Sequence, residues 1–165
     1  MYFEIMEFLA RNQKWIIFSH VLSAIILMGG FITLSVSVSH LVDTENVKEY
    51  TLRTVMSIVK RYLYFVAPLF VVLLISAIIM QIGFIYDNSN PIFLTIVHTN
   101  NFIWGFMFAL YIYIVKKRYD AHKHYEAENF SACKNDLILI VRYLFILEFV
   151  LGAIASYFGL ILKGV

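Results

Sequence analysis

Apolar positions run unbroken from Trp15 to Val38, and WIIFSHVLSAIILMGGFITLSVSV holds no Asp, Glu, Lys or Arg across 24 residues. A helix rises about 1.5 Å per residue and the hydrocarbon layer is about 30 Å thick, so about 20 such residues cross it. The segment therefore predicts a transmembrane helix over 15–38. Three more apolar runs predict spans over 62–85, 92–115 and 137–162. Pro68 sits inside the second and predicts a kink, or a carbonyl left free for a partner. Between the runs the pattern turns polar. Asp43–Tyr50 reads as a loop or short surface helix, and Tyr86–Pro91 as a compact turn. Lys116–Asp136 is a charged connection whose early part would prolong the third helix into water. Met1–Asn12 lacks the basic leader of a cleaved signal. Its Glu4, Glu7 and Arg11 share one helical face, which predicts a short helix lying along the interface. The expected architecture is all-α: an integral membrane four-helix up-down bundle with a short N-terminal interfacial helix, forming one transmembrane domain over 1–165.

Composition agrees with the pattern. Hydrophobic residues make up 61% of the 165, well above the roughly 45–50% of soluble domains, and the mean hydropathy is +0.79. Small residues recur at Ser23, Gly30 and Ser37 on the first span and at Gly152, Ala155 and Gly159 on the last, giving faces where another helix can approach closely. A single cysteine, Cys133, excludes an internal disulfide and any cysteine-held cluster. The net charge of +2 gives no argument for a nucleic-acid partner, and none is expected. The placement of charge is more informative. The 1–2 and 3–4 connections hold nine Lys and Arg (Lys48, Arg53, Lys60, Arg61, Lys116, Lys117, Arg118, Lys123, Lys134), against Arg11, Lys14 and Lys163 at the other ends. Because Lys and Arg in short loops stay in the cytoplasm, a multi-pass protein of the cell (inner) membrane with both termini non-cytoplasmic is expected.

That orientation bears on the histidines. His20 lies five residues past Trp15, and His98 seven past Pro91, so both sit about 8–10 Å below the outer surface. The first and third helices of an up-down bundle are parallel and often diagonal. Two imidazoles at one level across a bundle are the arrangement that grips a haem iron from both faces, so His20 and His98 are the candidate metal ligands and haem b the candidate cofactor. Hydrogen bonding of either ring to Ser23, Asn100, Asn101 or a carbonyl is the competing reading. Zinc or copper would want three or four close ligands, and no third stands at that depth. Met28, about 12 Å along the helix from His20, is a further cofactor contact only if the cofactor sits deeper; otherwise it is core. Glu148 shares its face with Gly152, Ala155 and Gly159 and should point inward. A carboxyl at that depth reads as a proton relay, or as the partner of Arg142 or Arg61. Arg142, near the end of its span, could equally snorkel to the surface. His40 is expected at the interface, and His122 and His124 in solvent.

The first span, His20-Val-Leu-Ser-Ala-Ile-Ile-Leu-Met28-Gly-Gly, with His40 closing the segment, resembles the bacterial membrane protoporphyrinogen oxidase of the HemJ type and the wider copper-resistance-D-like group of small four-span haem-associated membrane proteins. His98 opening the third span, and Arg142 followed by Glu148 in the last, add to the resemblance. Asn100 stands where that oxidase has Lys, Leu27 where it has Trp, and the Arg–Glu spacing is longer. The resemblance implies a four-helix haem-binding fold. It points to His20, His98 and Met28 at the cofactor, to Arg142 and Glu148 as catalytic residues, and, if the protein is an enzyme, to an oxidoreductase. Two functions are therefore carried forward. One is a b-type haem protein in electron transfer or porphyrin-related oxidation, working with a membrane redox partner or as a homo-oligomer. The other is a non-enzymatic accessory subunit without cofactor, whose small-residue seams hold a partner membrane protein. Membrane lipid surrounds the chain in either.

Overall fold

The computed structural model describes residues 2–43, 47–83 and 91–164, and among these the chain is helical apart from short connections at 43, 47–48 and 127–129. Helix α1 spans Tyr2–Val42, α2 Glu49–Gly83, α3 Pro91–Glu126, α4 Phe130–Ile138 and α5 Phe145–Gly164, with a six-residue π turn, Leu139–Leu144, joining the last two. The expected interfacial helix is not a separate element. No Gly or Pro interrupts the chain between Asn12 and Trp15, so α1 continues unbroken into the first span. The charged 116–126 stretch prolongs α3, as its composition implied, and ends where Glu128 turns into the left-handed region at φ 57°. Asn129 then caps α4, its side chain accepting from the Ala132 amide at 3.2 Å. The expected turn at Tyr86–Pro91 lies outside the described residues, apart from Pro91, which opens α3.

Each long helix buries one stripe. On α2 the stripe is Leu52, Val55, Val59, Leu63, Val66, Phe70, Leu73 and Ser76, at steps of three or four residues. On α1 it includes Ala24, Leu27, Phe31, Ser35, Val38 and Val42, and on α3 Trp104, Met107, Ile114 and Ala121. Helix α1 packs on α2 and α5, and α3 packs on α4 and α5 and more lightly on α2. The backbones of α1 and α3 do not touch, so these two stand diagonally among the described elements. The faces turned away from the core carry Ile25, Val36, Phe65, Ile78, Ile112 and Leu160, all more than half exposed. Apolar side chains facing outward on every side are stable only in a nonpolar surrounding. Three helical segments are long and apolar enough to cross a membrane: Arg11–Val42, Glu49–Met80 and Phe130–Ile161. The chain is a membrane protein. Helix α3 is not among the three, because its apolar centre, Phe102–Val115, is flanked by His98–Asn101 on one side and Lys116–Arg118 on the other.

The π turn gives α5 its phase. The Phe145 amide reaches back five residues to the Ile140 carbonyl, so the chain carries one more residue per turn there. Cys133, Leu137, Ile140, Val141, Leu144, Phe145, Glu148 and Ala155 all remain on the buried side.

One close approach depends on glycine. The Tyr62 hydroxyl crosses from α2 to donate to the Leu27 carbonyl of α1 at 3.0 Å, with its ring edge-on to Phe31 and Phe145 at centroid distances of 5.4 and 5.7 Å. A Cβ on Gly30 would lie 2.5 Å from that hydroxyl and 2.6 Å from a ring carbon. Gly30→Ala should displace Tyr62, lose the interhelical bond and destabilise the bundle by about 1–3 kcal/mol. Gly29→Ala, with open space around it, should not lower stability. Thermal unfolding of the two variants in detergent checks the pair.

Candidate functional site

A cavity of about 610 Å³ opens between α1, α3 and α5, with Ala77 and Met80 of α2 at its wall, on the side of the bundle nearer the chain termini. Its walls are mostly apolar, with Ala24, Ile25, Met28, Ala77, Trp104 and Ala155 among the lining residues. Its polar groups are few: His20, Asn100, Asn101, Ser156 and Gln13. A mainly apolar concavity with a few convergent polar groups is the usual form of a small-molecule site.

His20 is the group with the clearest chemistry. Its Nδ1 lies 2.8 Å from the Ser76 hydroxyl of α2. That hydroxyl has one proton, and the Val72 and Leu73 carbonyls, at 2.6 and 3.0 Å, compete for it. Ser76 can therefore only accept from the imidazole, which assigns the proton to Nδ1 and leaves Nε2 with its lone pair. The ring is held further by an edge-on contact with Trp104 of α3, centroid to centroid 6.1 Å at 72°. A histidine whose Nδ1–H is fixed by a neighbour and whose Nε2 is unclaimed is the usual form of a metal-ligating histidine.

His98 does not meet His20. It is exposed and does not line the cavity, while the position on α3 facing His20 is taken by Trp104. The cause is rotational phase. Asn100, Trp104, Met107 and Ile114 follow the inward stripe, and His98, two residues before Asn100, lies about 200° round the helix from it. Met28 does line the cavity, but its sulfur receives the Ser156 hydroxyl at 3.9 Å from α5 and packs against the open position above Gly152. Asn100 Oδ1 is buried without a partner among the described residues, which leaves one acceptor at the cavity wall for a water or a ligand hydroxyl.

No family model matches the chain, and no curated protein or solved structure does.

The two residues on the last helix part company. Glu148 is fully buried, and neither carboxyl oxygen has a hydrogen-bond partner among the described residues. Arg142, at the π turn, projects outward instead and holds Asp43 at the end of α1 by two contacts of 3.1 and 3.3 Å. Arg61 is exposed as well, so neither expected salt bridge to Glu148 forms. At the same end of the bundle Lys117 binds Asp136 at 2.9 Å, His124 stands 3.8 Å from that carboxylate, and His122 lies 3.4 Å from Glu126. The Asp136 hydrogen bond holds the Lys117 ammonium above the usual lysine range. A raised lysine stabilises the fold below its unfolded pKa and loses that contribution only as pH climbs through the folded value. His40 is exposed. Among the described residues, no three His, Cys, Asp or Glu side chains gather to hold a metal ion.

Sequence reasoning singled out His20, Met28 and Glu148, and all three line the cavity or the core. It passed over Ser76, Trp104 and Ser156. A serine in an otherwise apolar run, on the buried stripe of α2 three residues past Leu73, was the signal for the first.

Proposed function

We propose that the protein binds haem b or a closely related tetrapyrrole in the cavity between α1, α3 and α5, with His20 Nε2 as its one protein ligand, and works in electron transfer or porphyrin-related oxidation. The tautomer-fixed His20 on the wall of a 610 Å³ apolar cavity carries this reading. The fit is to a single imidazole that would hold the group. Ser76 orients the ring, Trp104 buttresses it, and the aliphatic walls exclude water, which raises the strength of a polar contact inside. Bound there, the group would supply one-electron chemistry, while Asn100 and Ser156 give the cavity its hydrogen-bonding edges. The resemblance of the first span to the HemJ-type oxidase supports the same ligand class. Absorption spectroscopy of the detergent-purified protein is the direct test: a Soret band supports the reading, and a colourless protein from haem-replete cells rejects it. The accessory-subunit reading would then stand. In its favour are the exposed Gly29, Gly105 and Gly159, where a Cβ would meet no atom within 4 Å, so that a partner helix has room to approach.

In this reading the chain makes four passes of the inner membrane, α3 crossing with Asn100 and Trp104 turned to the cavity. Both termini are non-cytoplasmic, as the nine-to-three distribution of Lys and Arg implies. A C-terminal reporter that works only in the cytoplasm should therefore be silent; strong activity would reverse the topology.

A further inference from the structure

We infer that α2 carries a binding site for the phosphate of an anionic phospholipid, formed by Arg53, Ser57 and Arg61. The inference needs only that α2 crosses the membrane, and stands apart from the cavity and its ligand.

The three residues occupy successive turns of one helix face, with about 6 Å of rise between neighbours. With Thr54 and Ile58 they line a shallow cleft of about 380 Å³. Both guanidiniums are exposed, and neither has an ion-pair partner among the described residues. Of the nearby carboxylates, Asp43 holds Arg142 at 3.1 Å, while Glu49, one turn before Arg53 and outside the cleft, accepts from the Tyr125 hydroxyl at 2.9 Å. The Thr54 hydroxyl is spent on the Tyr50 carbonyl at 2.8 Å, whereas Ser57 bonds to no other described residue. The cleft thus presents two forked cations and one free hydroxyl donor, and no carboxylate is among its lining residues.

Its depth decides which anion it meets. About 20 apolar residues cross the hydrocarbon layer, and the apolar run of α2 begins at Tyr62, directly after Arg61, which places Arg61 at the hydrocarbon edge. Ser57 and Arg53 then stand about 6 and 12 Å further out, across the headgroup layer. The neighbouring Lys60 folds toward the Tyr64 ring, 6.0 Å from its centroid, an aromatic and a cation placed as they are at a membrane interface. Arginine forks match phosphate oxygens in pairs, and the serine hydroxyl can supply a further donor. Phosphatidylcholine would bring its own cation against the two guanidiniums. A lipid with net negative charge, such as phosphatidylglycerol, would not.

Native mass spectrometry of the full-length protein, titrated with phosphatidylglycerol or phosphatidylcholine, tests the site. Wild type should hold phosphatidylglycerol more tightly. The double variant Arg53→Gln, Arg61→Gln should lose about thirtyfold in that affinity, a little over fivefold for each basic residue at the headgroup layer. Arg53→Lys with Arg61→Lys keeps the charge but not the fork, and should fall between the two. Equal affinity of wild type for both lipids, or an unchanged preference in the Gln variant, overturns the site. Inorganic phosphate displacing the lipid at equal concentration would make it a free-phosphate site and overturn the lipid assignment.

Discussion

His20→Ala is expected to reduce tetrapyrrole content to background, while His98→Ala leaves it unchanged. His20 is the one histidine lining the cavity, its Nδ1 is tied to Ser76, and neither Trp104, Asn100 nor Ser156 is a strong iron ligand. Met28 cannot substitute easily, since it lies about 12 Å further along the same helix and its sulfur is occupied by Ser156. Ser76→Ala should fall between, lowering affinity about tenfold, as removal of an outer-shell hydrogen bond to a ligating histidine does. The Soret absorbance per protein, with the spin state, measures all three. A six-coordinate low-spin spectrum that turns five-coordinate on His98→Ala would bring back the paired-histidine arrangement and defeat the single-ligand one.

Glu148→Met should raise stability and, if the protein is proton-coupled, impair it. The carboxyl is fully buried with both oxygens unpartnered among the described residues, so the native state carries its desolvation cost without return. Removing such a group for an apolar side chain of similar size is worth about 1–3 kcal/mol, or about 5 °C in the unfolding midpoint for a chain of this length. Turnover should fall at the same time, because a costly buried carboxyl kept in a membrane core is best explained by a task. Glu148→Gln separates the two effects: it keeps the shape and the polarity but cannot release a proton. Unchanged turnover in both variants would reduce Glu148 to a structural residue.

Helix content and membrane class were legible in the sequence because both depend on composition over windows of about 20 residues. The run at 15–38, and most of those at 62–85 and 137–162, fall within the three apolar helical segments. The pairing of His20 with His98 was argued from depth alone, and depth is half of a helical coordinate. The other half is rotation, and the stripe through Trp104 and Met107 carried it: apolar residues at steps of three and four pointed one way and His98 another. Arg142, one of the two partners the sequence offers Glu148, stands six residues before it. That spacing puts them on opposite faces even in a plain helix, about 240° apart, so the ion pair to Asp43 is the natural outcome. The contacts across long separations, such as Ser76 to His20, leave only phase as their trace in one sequence.

The π turn at Leu139–Leu144 has a consequence for insertions and deletions. Upstream of it, Cys133 meets Met56 of α2 and Asp136 holds Lys117 at the polar end of α3; downstream, Glu148, Gly152 and Ala155 face the interior of the bundle. The extra residue is what lets one continuous rod serve both surfaces. Deleting a single residue inside the turn and tightening it to ordinary α geometry would remove about 100° of rotation with the residue and restore about as much over the turn, so Glu148 would keep its inward face. A deletion between the turn and Glu148 has no such slack: it would turn everything beyond it by about 100° and carry Glu148 toward lipid. The π turn is thus where this rod can change length without changing which face of the last helix meets the bilayer.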